Sequence, residues 1–179
     1  TIDDDVTKSQ VEVQNNAFVT GDWVHVVAVR DAENDTLMLF ANGVFQGGAT
    51  DGTGDISNGE PLWIGEFVDG TGSAMSGDLK DIRIYDYALS QEDIDVLFNS
   101  YEIDSPVMFT RWAMDEGSGT TVTDVVGGNN GTFVGLPDTA WIAGGGIDFN
   151  NIDGHHIEVP NADVLDFGDE NFTVSMLVR

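Results

Sequence analysis

Short alternating or apolar runs, separated by Gly-rich or Asp/Asn-rich stretches, fill this chain from end to end. They lie at Trp23 to Arg30, Leu37 to Ala41, Val44 to Gln46, Leu62 to Gly65, Leu79 to Tyr85, Val107 to Ala113, Ile147 to Phe149, His156 to Val159 and Phe172 to Val178. Their lengths and spacing are those of strands, in which successive side chains point to opposite faces of a sheet. Asn42-Gly43 stands between LMLFA and VFQ, and that dipeptide readily takes the positive φ angles of a two-residue hairpin turn, so a hairpin is predicted there. One segment has a helical period. Ser90 is placed to cap it, Asp93 follows three residues on, and Ile94, Leu97 and Phe98 share a face, which predicts a helical turn or two over 91–98. The remainder predicts an all-β, two-sheet antiparallel sandwich.

Along the chain, Asn99 to Pro106 (NSYEIDSP) is the best candidate junction. It follows the helical turn, ends in Ser-Pro and precedes a new strand at Val107. Residues 1–98 and 107–179 are then two segments, but their compositions are similar, so two separate domains are not required. The 179 residues suit one domain of ordinary size, and 41% hydrophobic content with 4 Trp and 10 Phe is enough for a core.

Charge narrows the choice of partners. With 32 acidic side chains against 6 basic ones the formal charge is -26, a surface that phosphates would avoid; nucleic acid and anionic membranes are excluded as partners. No cysteine is present, which removes disulfides, thiolate nucleophiles and thiolate metal sites. No run approaches the roughly 20 apolar residues of a membrane span, so membrane insertion is not expected. The first residues are polar and acidic, and any signal peptide is read as removed or lying outside this sequence. The acid is mostly Asp, 23 against 9 Glu, joined by 12 Asn and 22 Gly. Short-stemmed oxygens in tight loops suit calcium coordination, whereas a carboxylate-coated surface suits a high-salt or marine setting; both readings stand.

Read together, the strands resemble a known family. WVHVVAVRD at Trp23 to Asp31, LMLFANGVFQGG, PLWIGEF and GDLKDIRIYDYALSQEDIDVLF at Gly77 to Phe98 look like the second half of a laminin-G-like domain of the concanavalin A-like lectin/glucanase superfamily. FTRWAMDEGSGTTVTDVVGGNNGTFVG, TAWIAGGGIDFN, DGHHIEVP and ENFTVSMLVR resemble its first half. The halves stand in reversed order: residues 1–98 match the closing half and 107–179 the opening half. A circular permutant, a window cut from a tandem array and a subunit that exchanges halves with neighbouring copies all fit. The resemblance implies a concanavalin A-like jelly-roll sandwich. Part of the region that the family carries between its FTVS-type and Trp-His strands is missing here, which favours a fragment or an exchanged assembly.

Calcium is the strongest candidate ligand. The run Asp124-Val-Val-Gly-Gly-Asn129-Asn130-Gly, with Asp115 nearby in sequence, offers oxygens on a flexible loop. The resemblance implies that the final strand lies close to this loop, so that Asp81 could join Asp115, Asp124, Asn129 and Asn130 around a Ca2+ ion. The competing reading is that Asp124 and Asn130 only close a turn through side-chain to backbone bonds. His155 and His156 are adjacent on a strand, point to opposite faces and are not expected to chelate one ion. His25 reads as packed or bonded to backbone. Catalysis is not expected: Glu92-Asp93-Ile94-Asp95 is the only near match to the carboxylate motif of the superfamily's glucanases, lacks a second glutamate and sits in a helix-capping context. No nucleophile-elbow glycine pattern surrounds a serine. Trp23, Trp63, Trp112 and Trp141 read mostly as core, Phe45 and Phe67 lie nearer turns, and Gly144 to Gly146 read as a tight turn.

The function expected is a non-catalytic, secreted or cell-surface module, calcium-stabilised, that binds glycan or extracellular protein at its loop edge. One alternative is a structural subunit of an extracellular filament or repeat array, built from neighbouring copies that exchange half-domains. Another is an accessory carbohydrate-binding domain of a polysaccharide-degrading enzyme.

Overall fold

A computed structural model describes residues 2–3, 7–11, 21–67, 73–100, 108–161 and 163–179. Its strands are β1 (Ile2–Asp3), β2 (Lys8–Ser9), β3 (Val24–Asp31), β4 (Thr36–Ala41), β5 (Val44–Thr50), β6 (Leu62–Ile64), β7 (Glu66–Phe67), β8 (Ser73–Ala74) and β9 (Ser76–Tyr85). Helix α1 (Gln91–Ser100) follows, then β10 (Met108–Trp112), β11 (Thr121–Val122), β12 (Gly131–Val134), β13 (Ile147–Asn150), β14 (His156–Val159) and β15 (Phe172–Val178). The larger sheet has the order β10-β9-β15-β3-β4-β5, with β13 also paired to β9; the smaller has the order β11-β12-β14-β6. Every pairing is antiparallel. The all-β sandwich expected from the periodicity is therefore what the chain forms.

The two segments that resemble opposite halves of a domain are interleaved in both sheets. β15 lies between β9 and β3, matching Val174 with Ile84 on one side and with Ala28 on the other. β14 pairs with β6 in the smaller sheet.

The larger sheet is the middle layer of the molecule. On one face Leu79, Ile82, Ile84, Trp112, Ile147 and Phe149 pack against Ile64, Val122, Phe133, Ile157 and Val159 of the smaller sheet and its surroundings. On the other face Val27, Val29, Phe40 and Tyr85 are covered by Leu89 and by Ile94 and Leu97 of α1. Alternation along β3 divides its side chains between these cores, with Val24 and Val26 facing one way and Val27 and Val29 the other.

Local sequence explains the main boundaries. Asn42 and Gly43 take φ values of 50° and 78°, as the hairpin requires, and the Asn42 side chain accepts from the backbone N–H of His25 at 2.9 Å, tying the β4–β5 turn to β3. Ser90 and Asp93 bond each other reciprocally at the start of α1, an N-terminal cap in which an aspartate holds the N3 position. The helix runs two residues beyond the expected Phe98, through the first two positions of the proposed junction. Asn99 donates to the Asp95 carbonyl and Ser100 to the Val96 carbonyl, each one turn back. Residues 101–106 of that junction lie outside the described residues.

Besides the two-residue strands β1, β2, β7, β8 and β11, which the periodicity does not predict, β5, β12 and β9 differ from that reading. β5 reaches Thr50 rather than Gln46, because its glycines still pair with β4 although they present no side-chain pattern. β12 was not among the expected strands; its alternation spans only four residues and opens on a glycine. Gly131 is required there by close approach, since a Cβ would lie 2.5 Å from the Ile157 side chain on β14. β9 starts earlier, at Ser76, because β13 pairs with its first half.

Candidate functional site

One end of β9 carries the arrangement that matters most. β10 pairs with Ile82 to Tyr85 of β9 and β13 with Ser76 to Leu79 on the same edge, and Asp81 sits in the gap between the two partners. Its φ of 51° is left-handed, and the register with β15 shifts at this point, from Ser175 opposite Arg83 to Leu177 opposite Lys80. This is a β-bulge, a feature that re-aims side chains beside it.

The Asp81 carboxylate faces two arginines. Arg83 Nη2 donates at 2.6 Å and Arg83 Nε at 3.1 Å, and Arg111 Nε donates at 2.8 Å from β10. Burial alone would raise the Asp81 carboxyl, but the hydrogen bonds and charges of Arg83 and Arg111 more than offset it and hold the group below its ordinary value.

Arg111 also connects this pair to the Asp124 loop, because its backbone N–H donates to Asp124 Oδ1 at 2.9 Å. The same oxygen accepts from the N–H groups of Val126 and Gly127, and Oδ2 accepts from the Asn129 backbone and side-chain N–H groups. The Asn130 side-chain oxygen accepts from the Asp124 N–H, and the Asn129 carbonyl accepts from Nε1 of the fully buried Trp112. Asp124, 4% exposed, is thus wrapped in donors. Burial would raise its carboxyl, and the backbone N–H groups, with Arg111 first, bring it down instead.

All five residues expected to hold calcium therefore lie in one neighbourhood: Asp81, Asp124, Asn129 and Asn130 in a continuous hydrogen-bonded chain through Arg111, and exposed Asp115 beside Asp81 and Arg111 in a shared pocket. Their oxygens, however, face protein donors. Calcium needs six to eight oxygens around one point, and here Asp81 is taken by two guanidinium groups and Asp124 by backbone N–H groups. As arranged, the five do not fit a calcium cage, and among the described residues no group of three or more His, Asp or Glu side chains is placed to hold a metal ion. Asp124 and Asn130 do close the turn through side-chain to backbone bonds.

The other candidate chemistry is placed as follows. His155 and His156 lie apart in environment, His155 near Asn150 and His156 buried with Nδ1 2.9 Å from Glu66 and its ring stacked on Trp63 at 4.0 Å. His25 is buried on the α1 side of the larger sheet, shares a hydrogen bond with Ser175 at 2.9 Å and stacks on Phe98. Burial, with the charge of Arg83 second, pushes its pKa down to about 4. Glu92 to Asp95 fall on α1, with Asp93 in the cap and Asp95 accepting from Gln91. Trp141 stacks on Phe133 and donates to the Gly119 carbonyl. Gly144 to Gly146 form a turn with positive φ throughout, closed by Gly145 N–H to the Ile142 carbonyl and Gly146 N–H to the Met114 carbonyl. Phe45 is 52% exposed at the β4–β5 hairpin, and the side chain of Phe67 lies outside the described residues.

Trp23, one of the four tryptophans that read mostly as core, is left half-buried at a surface by the fold. Lys80 Nζ stands 4.2 Å from its ring centroid and the Arg179 guanidinium 4.8 Å. Together with Asp81, Arg111, Asp115 and Leu177 it lines an open pocket of about 430 Å³. The sequence signal was available in the scarcity of cations: of six in the chain, Lys80, Arg83, Arg111 and Arg179 all come to this place.

A family model described as the concanavalin A-like lectin/glucanases superfamily, of laminin G type, matches residues 1–95. No curated protein and no solved structure matches the chain.

Proposed function

This chain belongs to the concanavalin A-like lectin/glucanases superfamily, and on that premise we propose that it is a non-catalytic module that binds glycan or protein outside the cell. The observation that carries the reading is the position of the one carboxylate group that resembled a catalytic motif. Glu92, Asp93 and Asp95 lie on the exposed first turns of α1, where Asp93 is spent on the helix cap and Asp95 on Gln91. A retaining pair needs two carboxyl groups about 5 Å apart across a bound sugar, on a wall that can position it. In this reading the loops are held for recognition by the Asp81 and Asp124 networks, and the two sheets supply the rigid support. A glycan array probed with the purified chain, with parallel incubation of the bound oligosaccharides, tests it: retention without cleavage is expected, and release of shortened products refutes the non-catalytic part.

A second reading has its own support. Because β15 is bonded on both sides to strands of the other segment, the same bonds would form if β15 came from a neighbouring copy, giving a filament or repeat array by exchange. Closure within one chain makes the protein a permuted single domain. Light scattering across a hundredfold range of concentration separates them: a constant monomer mass supports closure, and growing oligomers support exchange.

A further inference from the structure

The pocket at Trp23 differs in charge from the rest of the molecule. In a chain of net charge -26, four of six cations converge on one end of one sheet face. Tyr85 and Arg83 alternate onto the α1 side of the larger sheet, Arg111 stands opposite Arg83, and Leu177 opposite both His25 and Lys80, so these residues share that side of the sheet. Part of this positive charge is internally matched. Arg83 and Arg111 share the single carboxylate of Asp81, and Arg179 is paired with Asp78 at 2.8 Å. Arg111 meets Asp81 through Nε, and its side chain is 36% exposed at the pocket. Lys80 is a further accessible cation: it stands over the Trp23 ring, with no carboxylate partner among the described residues. In a molecule with 32 acidic side chains, a lysine held on an aromatic ring is a cation kept available. Asp115, exposed at the rim, is the one carboxylate of the pocket lining that no cation holds.

We propose that this pocket receives the carboxylate of an acidic sugar, a uronate unit within a glycan. The inference rests on the glycan-binding reading above and names its ligand class. The carboxylate meets Lys80 and the exposed part of Arg111, a charge-assisted contact of the stronger kind. The sugar ring lies against the apolar surface of Trp23 and Leu177, as pyranose C–H faces do against aromatic side chains. Asp81 receives no ligand; its part is to fix both arginines, and the bulge there sets Lys80 at the pocket beside the Asp81 carboxylate. The chain's overall negative charge sets the specificity from the other side. It repels a polyanion, which brings many charges near the surface, and tolerates a saccharide with one carboxylate placed in the local positive field.

Isothermal titration with a panel of trisaccharides, each bearing one uronate, beside their methyl esters, tests this. The ester keeps the sugar and removes the charge. The acid is expected to bind about tenfold more tightly than its ester. In Lys80→Met, whose aliphatic stem keeps the Trp23 contact, the acid is expected to fall toward the affinity of the ester, part of the difference remaining with Arg111, while the ester is unchanged. Arg111→Met serves as a second variant, with circular dichroism of both confirming a folded chain. Equal binding of acid and ester by the native chain, or an acid affinity untouched by Lys80→Met, overturns the proposal while leaving glycan binding elsewhere on the module intact. Failure of every saccharide, acidic or neutral, to bind overturns the glycan reading itself and this proposal with it.

Discussion

Arg30 offers the sharpest test of how this fold is held together. Its side chain is 1% exposed at the end of β3, and that of Asp51, its partner through Nε at 2.8 Å, is 2% exposed. The remaining donors are used as fully. Nη1 donates to the Gly168 carbonyl at 2.9 Å, and Nη2 to the Gly54 carbonyl at 2.8 Å and to the carbonyl and hydroxyl of Thr53 at 3.2 and 3.3 Å. One planar side chain thus joins β3, the loop after β5 and the loop before β15, which come from both segments of the chain. Burial would raise the Asp51 carboxyl, but bonds from Thr53 and Arg30 pull it below its ordinary value, so it is charged at neutral pH. Replacing Arg30 with Met strands that charge and takes a donor from three backbone carbonyls, those of Thr53, Gly54 and Gly168, and removal of one partner of a buried pair costs about 3–5 kcal/mol. For a domain of this size each kcal/mol lowers the melting temperature by about 2–4 °C, so calorimetry should show a fall of about 6–20 °C. Arg30→Lys keeps the charge and loses the fork, and should fall between the two. The decisive measurement is Arg30→Met combined with Asp51→Leu, scored by urea unfolding. With no stranded charge left, the double variant should lose clearly less than the sum of the single variants. Additive losses, or a loss under about 1 kcal/mol for Arg30→Met alone, would refute the argument that this ion pair is a latch.

Three further outcomes are expected. His25 titrates near 6.5 when unfolded and near 4 when folded, so unfolding takes up a proton and stability falls as pH drops through that window, levelling off below about 4; His25→Gln should flatten the unfolding free energy between pH 6.5 and 4, and an unchanged slope would count against the burial argument. The lowered carboxyls of Asp51, Asp81 and Asp124 add stability that is present above their ordinary value of 3.8 and lost below it, so their limb lies at more acid pH. Gly65→Ala would drive a Cβ to 2.1 Å from the Phe149 ring at a φ of +96° and should cost about 2–4 kcal/mol in denaturant, whereas Gly144→Ala meets open space at +90° and should cost about 1 kcal/mol; equal costs would show that backbone strain, not packing, limits both. A chelator should move the melting temperature by less than about 2 °C, and a larger fall restored by added calcium would show that a cation orders these loops after all.

Periodicity carried the fold well because the larger sheet is covered on both faces, so β3 is buried along almost its whole length and β9 and β15 carry apolar runs of strand length. It failed where side chains stop reporting the backbone: at the glycines of β5, at the four residues of β12, and at the end of α1, where Asn99 and Ser100 extend the helix by bonding back to its carbonyls. The candidate site was legible as a neighbourhood. Asp81, Asp115, Asp124, Asn129 and Asn130 do converge, but the cations that meet Asp81 are side chains of the chain itself. Arg83 follows Asp81 by two residues in the same strand and Arg111 lies directly across from Arg83, a relation that only the β9–β10 register reveals. Trp23 could not be told from the three other tryptophans for a related reason. Its neighbours in sequence are core residues of β3, and its neighbours in space, Lys80 and Arg179, come from β9 and from the end of β15.

The same register bears on whether copies of this chain can share strands. Exchange of β15 would bring together two molecules each carrying a charge of -26, with a mutual repulsion that is long-ranged in dilute buffer and confined to about 10 Å at 0.1 M salt. The bonds formed across the exchanged strand would be those already made within the chain, including the latch from Arg30 to Gly168. Exchange therefore adds no new contact to set against the repulsion, and at low salt the closed monomer should win. Raising salt removes the repulsion without weakening the buried latch. If the chain assembles by exchange, oligomers should then appear between about 0.05 and 1 M NaCl, slowly, because β15 must leave the middle of a sheet, and Arg30→Met should speed their appearance by loosening the loop before β15. Oligomers that form as fast in the native chain as in the variant, or that persist in low salt, would mean that contact is made by surfaces and not by strand exchange.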